Sequence, residues 1–182
     1  MSITVRRARP GDEAVVHSVA AETFALACPP GTLPSDVDDF VSRHLSESRF
    51  AGYLADPSRI VLLASSGEGG PLGYSMLVRG PISDPDVRAV VDPATTVELS
   101  KFYVLLDRHG TGVAATLMAA TLEAAAGTGA ATVWLGVNQE NVRAAKFYAK
   151  NGFEIVGTRR FLVGEQWHDD DLRLRSLSPP AA

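Results

Sequence analysis

The strongest constraint on the fold is a strand that runs through a glycine turn directly into a long helix. Residues 97–106 have the composition of a strand, Gly110 and Gly112 form a sharp turn, and residues 113–126 are dense in Ala, Leu and Met. Another strand pattern, residues 131–137, follows at once. A strand–helix–strand unit of this kind joins two parallel neighbours of one sheet by a right-handed crossover. The sequence therefore predicts one parallel strand pair.

Around this unit the chain shows patterns typical of helices and antiparallel hairpins. Expected strands are residues 3–8, 60–64, 72–78, 153–163 and 167–174, and expected helices follow Asp12, begin at Ser35, cover residues 50–54 and cover residues 141–150. The Pro- and Asp-rich residues 80–94 are expected to form a mobile loop. We expect one mixed α/β domain over residues 1–176, with a largely antiparallel central sheet, a parallel crossover and flanking helices. Residues 177–182 are expected to be a frayed tail.

Composition narrows the classes of function. The 182 residues carry a net charge of -4, which argues mildly against a nucleic-acid partner and is compatible with a cationic substrate. No secretory leader and no apolar segment of membrane-spanning length is recognisable, so a cytoplasmic location without membrane contact is expected. The single cysteine excludes an internal disulfide, and the four scattered histidines give little support for a metal site.

The glycine turn has a chemical interpretation as well as a structural one. Glycines let the backbone approach a ligand closely, and the first helical turn presents unpaired N–H groups with partial positive charge. A pyrophosphate is the natural ligand for such a turn, although a plain glycine connection has the same pattern. A Rossmann dinucleotide site is disfavoured, because the first acid beyond the next strand is Glu140, 30 residues after Gly110.

A second motif distinguishes between these interpretations of the glycine turn. Residues 134–153 read WLGVNQENVRAAKFYAKNGF. Together, the two segments resemble the GNAT superfamily of acyl-CoA N-acyltransferases. That family has a Gln/Arg-x-x-Gly-x-Gly/Ala turn after its fourth strand and an Asn-x-x-Ala-x-x-Phe/Leu-Tyr-x-x-x-Gly-Phe segment after its fifth. The second motif matches at Asn141, Ala144, Phe147, Tyr148, Gly152 and Phe153.

The resemblance covers nearly the whole chain and implies acetyl-CoA as the acyl donor. It implies a CoA-binding surface at Phe102, Tyr103, Val104, His109, Gly110, Thr111, Gly112, Val113, Ala114, Asn141, Ala144 and Tyr148. A bulge in the fourth strand is expected to free the amide groups of residues 102–104 for the pantetheine arm and the oxyanion. His109 departs from the usual Gln or Arg, and a role near the phosphates is favoured for it, with Arg108 as an additional charge. Asn141 suits a helix cap, and contact with the cofactor arm is compatible with that role.

Two residues are predicted to be catalytic. Tyr148 is expected to protonate the departing thiolate, and the alternative is a core tyrosine packed on Phe147. Glu98 is expected to deprotonate the amine, directly or through water, and the alternative is a carboxylate that only attracts an ammonium group.

The acceptor is less constrained by the sequence. The end of the chain is similar to bacterial spermidine/spermine-type acetyltransferases, so a polyamine-like small-molecule amine is expected, with Glu22, Asp36 and Asp38 as candidate contacts. Dimers are common in the family, so a homodimer is considered. The alternatives are a non-catalytic acyl-CoA sensor on the same fold and a dinucleotide-binding oxidoreductase.

Overall fold

A single seven-stranded sheet organises the computed structural model, which describes residues 2–163 and 165–177. The strand order is β1-β2-β3-β4-β5-β7-β6, and β4 and β5 form the one parallel pair among the described strands. The strands are β1 Ile3–Arg7, β2 Arg59–Ser66, β3 Pro71–Val78, β4 Thr96–Val104, β5 Thr132–Asn138, β6 Glu154–Val163 and β7 Gln166–Ser176. The mixed α/β class and the parallel crossover predicted from the sequence are confirmed.

Six α-helices flank the sheet within the described residues. They are α1 Glu13–Ala27, α2 Pro34–His44, α3 Glu47–Ala55, α4 Pro85–Arg88, α5 Val113–Gly127 and α6 Val142–Lys150. The predicted start of α2 at Ser35 is one residue late, because the helix begins at Pro34, where the fixed φ of proline suits the first helical position. Ser46 caps α3 by accepting a hydrogen bond from the amide of Arg49.

The helices cover opposite faces of the sheet. On one face, which we call face A, buried side chains of α1 and α3 pack on β2 and β3, and Tyr103 of β4 joins them. On the opposite face, face B, α5 and α6 pack on β4 and β5 around Leu99, Met118 and Leu135. Strand β4 therefore contributes side chains to both halves of the core.

The segment of residues 80–94 is packed rather than mobile, contrary to the expectation from its Pro and Asp content. It contains α4, whose Val87 is fully buried, and Val91 is buried as well. Both valines belong to a small apolar cluster with Trp134 and Leu172. Burial of these side chains outweighs the turn-forming composition, so the segment forms a fixed strap across β5–β7 on face A.

Strand β4 carries an irregularity at its centre. Met76 of β3 pairs with Lys101 and Leu77 pairs with Leu99, so Ser100 is an additional residue without a direct partner. A bulge of this kind switches the side on which later side chains point. As a result Glu98, Lys101 and Tyr103 all face side A, opposite Val78, Met76 and Tyr74. The bulge lies before the expected residues 102–104, and the strand ends at Val104 instead of residue 106.

The end of the chain is more ordered than expected. Strand β7 reaches Ser176, and the amide of Leu177 donates a hydrogen bond to the carbonyl of Ala131. Leu177, the first residue of the predicted frayed tail, is therefore bonded to the residue before β5, and residues 178–182 lie outside the described residues. The turn predicted at Gly164 and Glu165 also lies partly outside them, at Gly164.

Candidate active site

The central feature of the site is a gap between β4 and β5. Among the described residues, Thr96, Val97 and Glu98 pair with β5, and Glu98 opposite Trp134 is the last pair before the strands separate. Beyond that point β4 continues along β3 to Val104, while β5 continues along β7 to Asn138. The edge of β4 that faces β5 thus has backbone groups without a ladder partner, and such groups seek other hydrogen-bond partners.

A cleft of about 320 Å³ occupies this gap. It is bordered on one side by Thr23, Leu26 and Ala27 of α1, which belong to face A, and on the other by α6, which belongs to face B. The cleft therefore passes through the sheet. Of the predicted CoA-binding residues, those that line it are Phe102, Tyr103, Val104, His109, Gly110, Ala114, Asn141, Ala144 and Tyr148. Thr111, Gly112 and Val113 do not line the cleft.

The glycine turn has an open backbone. A short 3-10 helix, Leu106–Arg108, precedes it, and Gly110 and Gly112 have φ values of 79° and 89°, a region that favours glycine. Gly112 is the N-cap of α5 and provides no side chain to bond the first helical amides. These amides are free to bind an anion, as the pyrophosphate prediction requires. A Cβ at either glycine would meet no atom within 4 Å, so the turn has room for a ligand.

His109 connects the turn to the last helix. Its Nε2 lies 3.0 Å from the carbonyl oxygen of Val104, and Arg143 Nη1 lies 2.9 Å from its Nδ1. Because arginine only donates, Nδ1 accepts from Arg143 and Nε2–H donates to the carbonyl of Val104. The contact holds the Arg143 guanidinium beside the cleft, which it lines.

Arg143 was missed by the sequence reasoning, although a cation two residues after the Asn141 cap was a usable signal. Arg108, the cation expected there, instead pairs with Asp107 at 3.1 Å. Asn141 does cap α6, since its Oδ1 accepts a hydrogen bond of 3.1 Å from the amide of Ala144. The cap role predicted for Asn141 is confirmed.

Tyr148 borders the cleft from face B. Its ring makes edge contacts with Phe147 and Phe153, at centroid distances of 5.6 and 5.7 Å, and lies 6.4 Å from Phe102. Its hydroxyl forms no hydrogen bond with a described residue. Burial, with a smaller contribution from Tyr103, raises the pKa of Tyr148 well above its usual range. The phenol is therefore protonated at neutral pH and is able to donate a proton.

Glu98 does not line the cleft. It faces a second cavity of about 140 Å³ on face A, formed with residues 80–84, Trp134 and Arg159. Burial raises the pKa of Glu98, and the positive charges of Arg159, Lys101 and Arg59 oppose that rise. Glu98 thus lies on face A at the point where β4 and β5 separate, whereas Tyr148 lies on face B.

Arg159 anchors this second cavity. Its guanidinium lies 3.4 Å from Asp170 and 3.9 Å from Asp84 of the strap, and 5.6 Å above the Trp134 ring. Gly136 makes room for it, because a Cβ there would lie 2.7 Å from Arg159 Nη2. The strap, β5 and β6 are therefore joined by one charged group beside Glu98.

The other polar residues considered from the sequence lie elsewhere. Glu22, Asp36 and Asp38, the expected acceptor contacts, line neither cavity. No group of three or more His, Cys, Asp or Glu side chains comes together as a metal site within residues 2–163 and 165–177. In the same part of the chain, no helix is both long and apolar enough to cross a bilayer.

Known proteins share this combination of sequence and architecture. The sequence model described as the Acetyltransferase (GNAT) family matches residues 26–153. The chain belongs to the GNAT family. An uncharacterized N-acetyltransferase of Mycobacterium tuberculosis is 49% identical over 160 residues, which cover 88% of this chain and 94% of the relative. The sequence resemblance to this family is confirmed.

Solved structures give the same fold. The PaiA N-acetyltransferase of Thermoplasma acidophilum, in complex with coenzyme A, superimposes with a TM-score of 0.76 at 17% identity, covering 97% of this chain and 99% of that one. The spermidine/spermine N-acetyltransferase SpeG of Vibrio cholerae has a TM-score of 0.65 at 16% identity, covering 96% and 92%. A Rossmann oxidoreductase needs a largely parallel sheet, so the GNAT architecture leaves that alternative without support.

Proposed function

We propose that this GNAT protein transfers the acetyl group of acetyl-CoA to the primary amine of a small molecule. The observation that carries the proposal is the cleft between β4 and β5, which joins the glycine turn to Tyr148 and passes through the sheet. The GNAT membership and the coenzyme A complex of the PaiA neighbour support a CoA thioester as the donor.

The chain has groups suited to hold such a donor. The amides at the start of α5, next to Gly110 and Gly112, suit the pyrophosphate, and Arg143 adds positive charge at the cleft wall. The unpaired edge of β4 suits the amide groups of the pantetheine arm, which would extend the sheet ladder. When bound, acetyl-CoA supplies the thioester carbonyl at which an amine attacks.

The protein groups around the gap suit the remaining tasks of an acyl transfer. Amide donors on the free edge of β4, among residues 102–104, are positioned to stabilise the oxyanion. The protonated hydroxyl of Tyr148 supplies a proton to the departing sulfur. Glu98, from face A, accepts the proton of the amine directly or through water, so base and acid act from opposite sides of the sheet.

The acceptor follows less directly. The similarity of the chain's end to spermidine/spermine-type enzymes favours a polyamine-like amine, and the fold shared with SpeG is compatible with it. The carboxylates first considered for such a substrate, Glu22, Asp36 and Asp38, lie away from both cavities. The proposal is therefore a small-molecule amine, with a polyamine as one acceptor to be tested.

The test is thiol release from acetyl-CoA in the presence of an amine panel that includes spermidine, amino acids and simple alkylamines. We expect release that depends on both the amine and the protein, with an acetylated amine detected by mass spectrometry. Binding of acetyl-CoA without release for any amine would favour the sensor alternative and contradict the proposal. Acetylation of protein amino termini in place of every small amine would contradict the acceptor class.

A further inference from the structure

The acceptor side of the sheet contains two cations held together on one aromatic ring. The guanidinium of Arg59 lies 4.7 Å and the ammonium of Lys101 lies 5.8 Å from the ring centroid of Tyr53. Tyr53 is fixed in turn, because its hydroxyl donates a hydrogen bond of 3.0 Å to the carbonyl of His44. We refer to Arg59, Lys101 and Tyr53 as the basic subsite.

The bulge at Ser100 determines the face of the sheet on which the side chain of Lys101 lies. Without the additional residue, alternation along β4 would send Glu98 and Lys101 to opposite faces, since they are three positions apart. With it, both face side A, where Lys101 lies opposite Met76 and Glu98 lies opposite Val78. Along the strand the two Cα atoms are at most roughly 10 Å apart. The bulge thus places a cation on the same face of the sheet as the proposed base.

Lys101 forms no close ion pair with a described residue, although the charge of Glu98 acts on it, whereas Arg59 pairs with Asp56 at 3.1 Å. Burial lowers the pKa of Lys101 to about 8, and Arg59 contributes to this, although the charge of Glu98 acts in the opposite direction. Asp56 already pairs with Arg59, so Lys101, whose nearby carboxylate is the proposed base Glu98, is the cation of the basic subsite that has no ion pair of its own among the described residues.

The surroundings on this side are basic as well. Burial lowers the pKa of His44, and the charges of Arg49, Lys101 and Arg43 lower it further, against Asp39. The cavity of Glu98 on face A has a different character, because Asp84 and Asp170 lie around Arg159 there. Glu98 on β4 therefore lies between the basic subsite and the carboxylates around Arg159.

We propose that the acceptor is a small amine that carries an anionic group, which binds at the basic subsite of Lys101 and Arg59 while the amine lies beside Glu98. The inference rests on the proposed acetyl transfer and names its substrate class. A carboxylate, phosphonate or phosphate satisfies the chemistry of the two cations. A polyamine would bring additional positive charge to Lys101 and Arg59.

The first experiment compares acceptors that differ in the anionic group. Thiol release from acetyl-CoA is measured for L-methionine against L-methioninamide, 4-aminobutyrate against butylamine, and 2-aminoethylphosphonate against ethylamine, with spermidine as the polycation. We expect kcat/KM to be about 10- to 100-fold higher for the acid in at least one pair, the effect of one charged hydrogen-bonded contact. The carboxylate and phosphonate pairs identify which anion is preferred. Equal or better turnover of the neutral amines or of spermidine in every case would overturn the inference.

The second experiment connects the preference to Lys101. In Lys101→Met we expect the ratio of kcat/KM for the acid over its neutral counterpart to fall at least tenfold, mainly through KM of the acid. Lys101→Arg should restore part of that ratio, because the charge returns. Lys146→Met, which removes an exposed lysine of α6, is the matched control and should leave the ratio unchanged.

The outcomes separate the two proposals. An unchanged ratio in Lys101→Met would overturn the basic subsite while leaving the acetyl transfer intact. If Lys101→Met does not fold, as judged by its melting curve, Arg59→Gln provides the same comparison. Absence of thiol release with every acceptor, in a protein that binds acetyl-CoA, would overturn the proposed function and the substrate class together.

Discussion

Tyr148 is a phenol whose surroundings favour its protonated form. Three aromatic rings enclose it, and burial raises its pKa, so its hydroxyl retains a proton where a solvent-exposed tyrosine would more readily lose one. A thiolate leaving group takes up a proton, and a neutral phenol beside it can donate one. The same packing also suits a simple core tyrosine, so the two roles have to be separated by kinetics.

Tyr148→Phe separates them, because it retains the ring and removes the proton. If the hydroxyl is the acid, kcat should fall about 100-fold while KM for acetyl-CoA changes little. The measurement is steady-state thiol release at saturating substrates. Tyr74→Phe is the matched control. The hydroxyl of Tyr74 is buried without a hydrogen-bond partner among the described residues. Its removal should therefore lower neither kcat nor the melting temperature. An unchanged kcat in Tyr148→Phe would leave this tyrosine a packing role alone.

If Glu98 is the general base, its pKa determines the pH at which the reaction rate falls. A general base acts in its ionised form, which exists above its pKa, and burial raises that pKa above the usual value for glutamate. The rate should therefore fall as pH decreases, and this fall should begin at a higher pH than for an exposed glutamate. Arg159, Lys101 and Arg59 limit the shift by favouring the carboxylate.

Glu98→Gln tests that role. We expect kcat/KM near pH 7 to fall about 100-fold, and the part of the acidic decrease that comes from Glu98 to disappear, which leaves the decrease caused by protonation of the amine itself. The profile is measured with one amine and saturating acetyl-CoA. If the glutamine variant retains the whole acidic decrease, another group titrates and Glu98 serves to attract the ammonium.

Among whole elements, the strap of residues 80–94 contributes to the active site by being fixed. Val87 and Val91 pack on Trp134 and Leu172, and Asp84 lies 3.9 Å from Arg159, the cation beside Glu98. The Pro- and Asp-rich sequence gives little indication that this segment is fixed, because the buried side chains that hold it are those of two valines. The element therefore has to be in place for the cavity on face A to exist.

Val87→Ala should loosen the strap. Truncating a fully buried valine leaves a cavity, and we expect a loss of about 1–3 kcal/mol in the free energy of unfolding, measured by denaturant titration. We also expect a higher KM for the amine with KM for acetyl-CoA unchanged, because the strap borders face A. Val15→Ala, at a position that is 36% exposed on α1, should cost less than 1 kcal/mol. Equal stability of the two variants would contradict the anchoring of the strap.

The family resemblance leads us to expect a bulge in β4 near residues 102–104, but not its position at Ser100. Ser100 has no local signal for an additional residue, and the position is visible only in how β3 and β4 pair. For the same reason Lys101 was not predicted to lie near Glu98, since unbroken alternation would place the two side chains on opposite faces of the sheet. By contrast, Gly112, Asn141 and α5 were predictable because turns, caps and helical periodicity depend on neighbours in sequence.

For the molecule as a whole, the topology followed from local patterns, but the division of the site between two faces did not. The strand–glycine–helix–strand unit implied the parallel pair, and two motifs implied the CoA surface. The separation of β4 from β5 after Glu98 depends on long-range pairing with β3 and β7. Arg143 and Arg159 are held at the site by partners 34 and 11 positions away, His109 and Asp170, and no pattern in the sequence indicates these two contacts.

The brief pairing of β4 with β5 has a consequence for how two reactants meet. Three residue pairs join these strands in the described chain, and then the sheet opens as a passage from one face to the other. A thioester entering from one side and a nucleophile entering from the other need not displace each other, so the acetyl transfer that we propose would pass through a ternary complex without a covalent enzyme intermediate. A bisubstrate conjugate, with both halves joined through the acyl carbon, would pass through the sheet and be retained by both walls at once.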